Sequence, residues 1–149
     1  MTRLIYILEL IASLIIAYQV IRTVFVKDTS YNDAYLISNL IVGECYNCSK
    51  EDIQYITYTV MNRKDSEKFP NTVKEVIFEN NQFKSLNRKV TIDNTMKPIV
   101  YDIVLEALKE SNIPEVYFFI SVNCNSTDCK KILNKRTRVL KTKNHIYLK

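Results

Sequence analysis

The chain has 149 residues, of which 47% are hydrophobic and 25% charged, a length and balance that fit one folded domain with a short appendage and exclude disorder. Glycine occurs once, at Gly43, and tryptophan not at all. A dinucleotide-binding fingerprint, a P-loop or a collagen repeat each needs several glycines, so those classes are excluded. The net charge is +5, and its distribution is uneven. Residues 130–149 carry eight basic side chains and no acid, which predicts a basic tail able to attract an anionic polymer or simply to be solvated.

At the N-terminus, Leu4–Val26 reads LIYILELIASLIIAYQVIRTVFV. As a helix it would reach roughly 35 Å, enough for a ~30 Å hydrocarbon layer. Glu9 and Arg22 lie toward its ends, and no small-residue cleavage site follows. Residues 1–27 are therefore expected to form an uncleaved transmembrane signal anchor. Arg3 favours an inside N-terminus, with residues 28–149 exported to the periplasm or cell wall. The competing reading is an amphipathic or buried helix packed on the domain or on a partner.

Lys27–Ser30 is expected to be a polar joint, and Tyr31–Glu44 a helix with Ala34, Tyr35, Ile37, Leu40 and Ile41 on one face. Ser49-x-x-Asp52 predicts a capped helix to about Lys64, with Ile53, Ile56, Val60 and Met61 as its apolar stripe. Thr72-x-x-Glu75 predicts a short helix to Phe78, after the loop Phe69-Pro70-Asn71-Thr72. Residues 80–93 read as irregular. A helix is expected from Thr95 to near Asn112, with Ile99, Val100, Ile103, Val104, Ala107 and Leu108 facing inward. Val116–Ile120 reads as a strand, and Arg138–Leu140 with His145–Leu148 as a hairpin. Helices first and a small sheet late give an α+β class, mainly helical, behind one hydrophobic N-terminal helix.

Within this frame the run Leu40–Phe83 resembles the SleB-like cell wall hydrolases, the spore-cortex-lytic family. The matching pieces are Glu44, Asn62-Arg63, Phe69-Pro70-Asn71-Thr72, Val76-Ile77 and Gln82-Phe83. Tyr117-Phe118-Phe119 and Asn144-His145-Ile146-Tyr147 match the family's later strand and hairpin, so the resemblance spans about residues 34–149. Two departures stand out. Cys45-Tyr46-Asn47-Cys48 replaces the family's Ala-Arg-Gly-Glu, removing its second Glu, and Lys143 replaces the glycine before Asn-His.

The resemblance implies a lysozyme-like, lytic-transglycosylase-like domain that cuts the bond between N-acetylmuramic acid and N-acetylglucosamine. It implies Glu44 as the catalytic residue, a single acid and base that needs no cofactor. Gln82, Tyr117, Phe83 and Asn62 become candidate substrate-binding residues; Phe69 and His145 are candidate packing or groove-lining residues. The partner is then the peptidoglycan glycan strand, with the membrane reached through the N-terminal helix. Nucleic acid is not expected, since no helix-turn-helix, RNP or finger motif is present. The role implied is phage lysis or entry, or bacterial wall remodelling. A catalytically weakened, membrane-anchored glycan-binding relative is the alternative that the missing Glu favours.

Cys45-x-x-Cys48 and Cys124-x4-Cys129 make two close pairs. Four thiolates would satisfy tetrahedral zinc, whereas an exported domain favours disulfides, which is the reading preferred here; the pairing itself is not readable from sequence.

Overall fold

The computed structural model describes residues 2–45, 47–80, 82–83 and 96–149, with the side chains of 2–5, 22–29 and 96–97 outside the description. Five helices and three strands occur among the described residues: α1 (Thr2–Glu44), α2 (Lys50–Lys64), α3 (Val73–Phe78), α4 (Met96–Ala107), β1 (Phe118–Ser121), α5 (Thr127–Lys135), β2 (Arg138–Lys141) and β3 (His145–Leu148). The class is α+β, as expected. Most of residues 80–93, together with Thr95, lies outside the described residues.

Two compact units divide the chain, Met1–Asn32 and Asp33–Lys149. The first consists of the N-terminal part of α1. Its apolar side chains face outward: Tyr6, Leu10, Leu14, Ile16 and Tyr18 are all exposed. Among the described residues no helix is long and apolar enough to cross a membrane. The polar residues Glu9, Ser13 and Gln19 interrupt the apolar run. The transmembrane anchor expected over 1–27, and the inside N-terminus attached to it, are therefore not supported. Lys27–Ser30, expected as a polar joint, are helical and belong to α1. No glycine or proline precedes Gly43, so nothing local breaks the helix.

The second unit is built around α2. Ile53, Ile56 and Val60 are almost fully buried, against Ile37, Leu40 and Ile41 of α1, Val76 and Ile77 of α3, and Val100 and Val104 of α4. Two capping boxes set the helix starts. Asp52 N–H donates to Ser49 Oγ at 3.1 Å, and Glu75 N–H donates to Thr72 Oγ1 at 3.2 Å. Both match the sequence expectation.

Other details differ. Tyr35 and Ile99 face solvent rather than the core. The fourth helix ends at Ala107, five residues before Asn112, because the next amides turn tighter: Lys109 N–H bonds Glu106 O and Glu110 N–H bonds Ala107 O.

The antiparallel sheet has the order β1-β3-β2. All four residues of the central β3 are buried, and its register pairs Phe119 with Tyr147 and Ile120 with Ile146. Tyr147 joins the main core. Ile146 and Leu148 join a smaller cluster with Ile120 and Cys129, capped by Ile132 and Leu133 of α5. Residues 130–149 are thus not a basic tail but α5 and the hairpin. Lys131 lies 3.8 Å from Asp128, and Lys149 lies 2.7 Å from Glu115.

Candidate active site

Glu44 is the last residue of α1 and is half-buried. Cys45 N–H still bonds Ile41 O at 2.9 Å, so the helix geometry carries one residue past it. Cys45 and Cys48 then form a disulfide, with 5.4 Å between their Cα atoms, which closes the turn behind Glu44. Asn144, at the tip of the β2–β3 hairpin, reaches over this turn. Its Nδ2 donates to Asn47 O at 3.0 Å and lies 3.7 Å from Cys45 Sγ.

Asp52 anchors that arrangement from below. Its side chain is completely buried, and five donors converge on it. Oδ2 accepts from Ser49 Oγ at 2.9 Å and Asn144 Nδ2 at 3.2 Å. Oδ1 accepts from Thr142 Oγ1 and from Tyr147 OH at 2.9 Å, with His145 Nδ1 at 3.2 Å. Burial pushes the Asp52 carboxyl up, yet the hydrogen bonds from Thr142, Ser49, His145 and Tyr147 outweigh it and hold the group below its usual range. His145 sits edge-on to Phe119, with ring centroids 5.2 Å apart. The sequence marked Asp52 only as a helix cap. Its larger role rests on partners at least 90 residues away, which no local pattern reveals.

A second network surrounds Arg63 at the end of α2. The guanidinium is buried, its Nε donating to Tyr117 O at 2.7 Å and its Nη1 to Gln82 Oε1 at 3.0 Å. Phe69, Phe83 and Phe118 enclose it, with ring centroids 5.2, 5.3 and 5.2 Å from Cζ. Burial lowers its pKa to about 10, against the nearby Glu79 carboxylate, which raises it; Arg136 lowers it further. Arg63→Met keeps much of the packing but leaves Tyr117 O and Gln82 Oε1 without their donor. It is expected to cost about 2–3 kcal/mol, measured by urea unfolding.

The candidate substrate residues distribute as follows. Asn62 uses both amide hydrogens on backbone carbonyls, Pro114 O at 2.8 Å and Val116 O at 2.9 Å. It thereby ties α2 to the segment entering β1. Asn62→Ala is expected to destabilise by about 2 kcal/mol in the same assay, because Val116 is buried and its carbonyl loses a partner. Phe83 is buried against Phe119 and the Arg63 guanidinium. Gln82 is exposed, with its carbonyl on Arg63. Tyr117 is half-buried and stacks on Phe69, with planes 9° apart and centroids 6.0 Å apart. These two rings line a cavity of about 410 Å³ with Phe118, Lys68, Arg136 and Lys149. A larger cavity of about 730 Å³ lies along Lys64–Asn71. Glu44 is not among the described residues lining either.

The family described as Cell Wall Hydrolase matches residues 49–148. The fold is similar to the crystal structure of the catalytic domain of the Bacillus cereus SleB protein, with 25% identity and a TM-score of 0.63 over 79% of this chain and 90% of that one. It is equally similar to the catalytic domain of the germination-specific lytic transglycosylase SleB from Bacillus anthracis, with 24% identity and a TM-score of 0.63 over 79% and 94%. No curated protein matches the sequence significantly. The chain belongs to the cell wall hydrolase family. It is an enzyme that cleaves peptidoglycan, and its action is on the wall, outside the cytoplasm. The matched stretch contains Asn62, Arg63, Gln82, Phe83, Tyr117 and His145, and begins five residues after Glu44.

Proposed function

We propose that the chain cuts the glycosidic bond between N-acetylmuramic acid and N-acetylglucosamine as a lytic transglycosylase, with Glu44 as its single acid and base. The observation that carries this reading is the position of Glu44: half-buried at the end of α1, on a turn braced by a disulfide and by Asn144. A general acid must be held in one geometry, and a braced turn supplies that.

In the first step the protonated Glu44 donates to the glycosidic oxygen as the bond breaks. The resulting carboxylate then takes the proton from the 6-hydroxyl of the muramic residue. That oxygen closes a 1,6-anhydro ring on C1, and Glu44 returns to its protonated form. No second carboxylate has to activate water, in contrast to two-carboxylate glycosidases. The absence of the family's second Glu, where Cys48 stands, is compatible with this scheme. Tyr117, Phe69 and the cations around the 410 Å³ cavity are candidates for holding the glycan and its carboxylates. Two disulfides suit an enzyme that works outside the cytoplasm.

The test is digestion of purified peptidoglycan with the full chain, reading the released muropeptides by mass spectrometry. Anhydro-ended products are expected. Reducing-end products would replace the transglycosylase by a hydrolase that uses water. Sedimentation with the wall and no release would favour the glycan-binding alternative, for which the replaced Glu at Cys48 speaks.

A further inference from the structure

We infer that Cys45, Cys48 and His145 form a zinc site that the Cys45–Cys48 disulfide masks and that reduction opens. The two sulfurs and one ring nitrogen of His145 lie within 4.8 Å of one another. Zinc–sulfur bonds of ~2.3 Å at a tetrahedral angle place two thiolates about 3.8 Å apart, a separation within the 4.8 Å spread of this set once the disulfide is opened. The spacing of two residues between the cysteines is that of many zinc turns. This donor set differs from a site of four thiolates, since Cys124 and Cys129 are bonded to each other in the α5 cluster.

The His145 imidazole is held by a buried carboxylate. Asp52 Oδ1 lies 3.2 Å from His145 Nδ1, and Asp52 is itself fixed by Ser49, Thr142 and Tyr147. A carboxylate on one imidazole nitrogen fixes the tautomer and makes the other nitrogen a better donor; metal-bound histidines are held this way. Cys45 and His145 are both buried, and Asn144 lies beside Cys45 Sγ, so the site is shielded on one side. Cys48 is half-buried, which leaves a route for solvent and a fourth, water ligand.

The chemistry balances with a dithiol reductant. Thiol–disulfide exchange breaks the Cys45–Cys48 bond, leaves two thiols, and turns the reductant into its own disulfide. Zinc then binds as the two thiols release their protons to solvent. The site bears on cleavage only through the proposed role of Glu44, one residue away, so zinc binding itself is the quantity to measure.

The experiment uses the full chain carrying Cys124→Ser and Cys129→Ser, so that only one cysteine pair remains. It is oxidised or reduced with dithiothreitol, mixed with zinc, dialysed, and its metal content measured, with circular dichroism as the check of folding. The reduced chain is expected to retain about one zinc per molecule and the oxidised chain none. Cobalt(II) in place of zinc is expected to give the intense visible bands of a tetrahedral thiolate site in the reduced chain alone. His145→Gln and Cys48→Ser, each added to that background, are expected to lose most of the retained metal. If His145→Gln fails to fold, Cys48→Ser decides. A reduced chain that holds no zinc or unfolds, or a Cys48→Ser variant that retains as much as its parent, overturns the proposal.

Discussion

Glu44→Gln is expected to lower the release of soluble wall fragments by about 10²- to 10⁴-fold, the range that general acid–base groups contribute. The change is nearly isosteric, yet an amide neither gives up nor takes the proton that both steps of the proposed scheme require. Glu44 ends a helix and is half-buried, so stability is expected to shift by no more than about 0.5 kcal/mol. The check pairs muropeptide release with urea unfolding on the same protein samples. Lost release with an unchanged unfolding midpoint assigns the loss to chemistry; wild-type release removes Glu44 from the mechanism.

Asp52→Asn should have the largest effect on stability, on the order of 3–5 kcal/mol, because it puts a donor where five donors converge. One of the two oxygens becomes an NH2 group, and hydroxyls or amides on that side lose their acceptor in a fully buried site. That cost is comparable with the whole stability of many domains of this size. The same carboxyl gives a pH signature. Its folded-state pKa is held below the usual value of 3.8, so its contribution is fully present above that value. The contribution is lost as pH falls through the lower, folded-state value. Urea midpoints measured from pH 6 down to pH 2 should therefore fall below about pH 4 in the wild type. Asp52→Asn should lack that component, and equal slopes would show that Asp52 is not the group responsible.

Local signals and distant ones separate cleanly in this fold. The starts of α2 and α3 are legible because Ser49-x-x-Asp52 and Thr72-x-x-Glu75 are self-contained caps. The hairpin is legible from two apolar runs around Thr142-Lys143-Asn144. Helix α5 is not. Its cap is Ser126 accepting from Cys129 N–H, a box lacking the usual acid, and its lysines read instead as a charge run. At the candidate site, the resemblance brought Glu44, Asn62, Arg63, Gln82 and His145 into view together. What each does depends on partners far away in sequence. Arg63 bonds the Tyr117 carbonyl 54 residues on, and backbone carbonyls leave no trace in side-chain patterns. Asn62 likewise bonds the Pro114 and Val116 carbonyls, 52 and 54 residues on.

The bracing of the Glu44 turn by Asn144 and Asp52 also has a consequence for the order of folding. Contacts between Thr142–Tyr147 and Asn47 or Asp52 span 90 to 97 residues. Closing a chain loop of that length costs roughly 4 kcal/mol of entropy, while a helix such as α2 forms within about a microsecond. Hairpin docking therefore belongs to the slowest step, and with it the fixing of the turn that carries Glu44. Partly folded chains, helical but undocked, are expected to leave the wall untouched. In a refolding experiment, activity should return with the slowest phase seen by tyrosine fluorescence, not with the earlier recovery of helix.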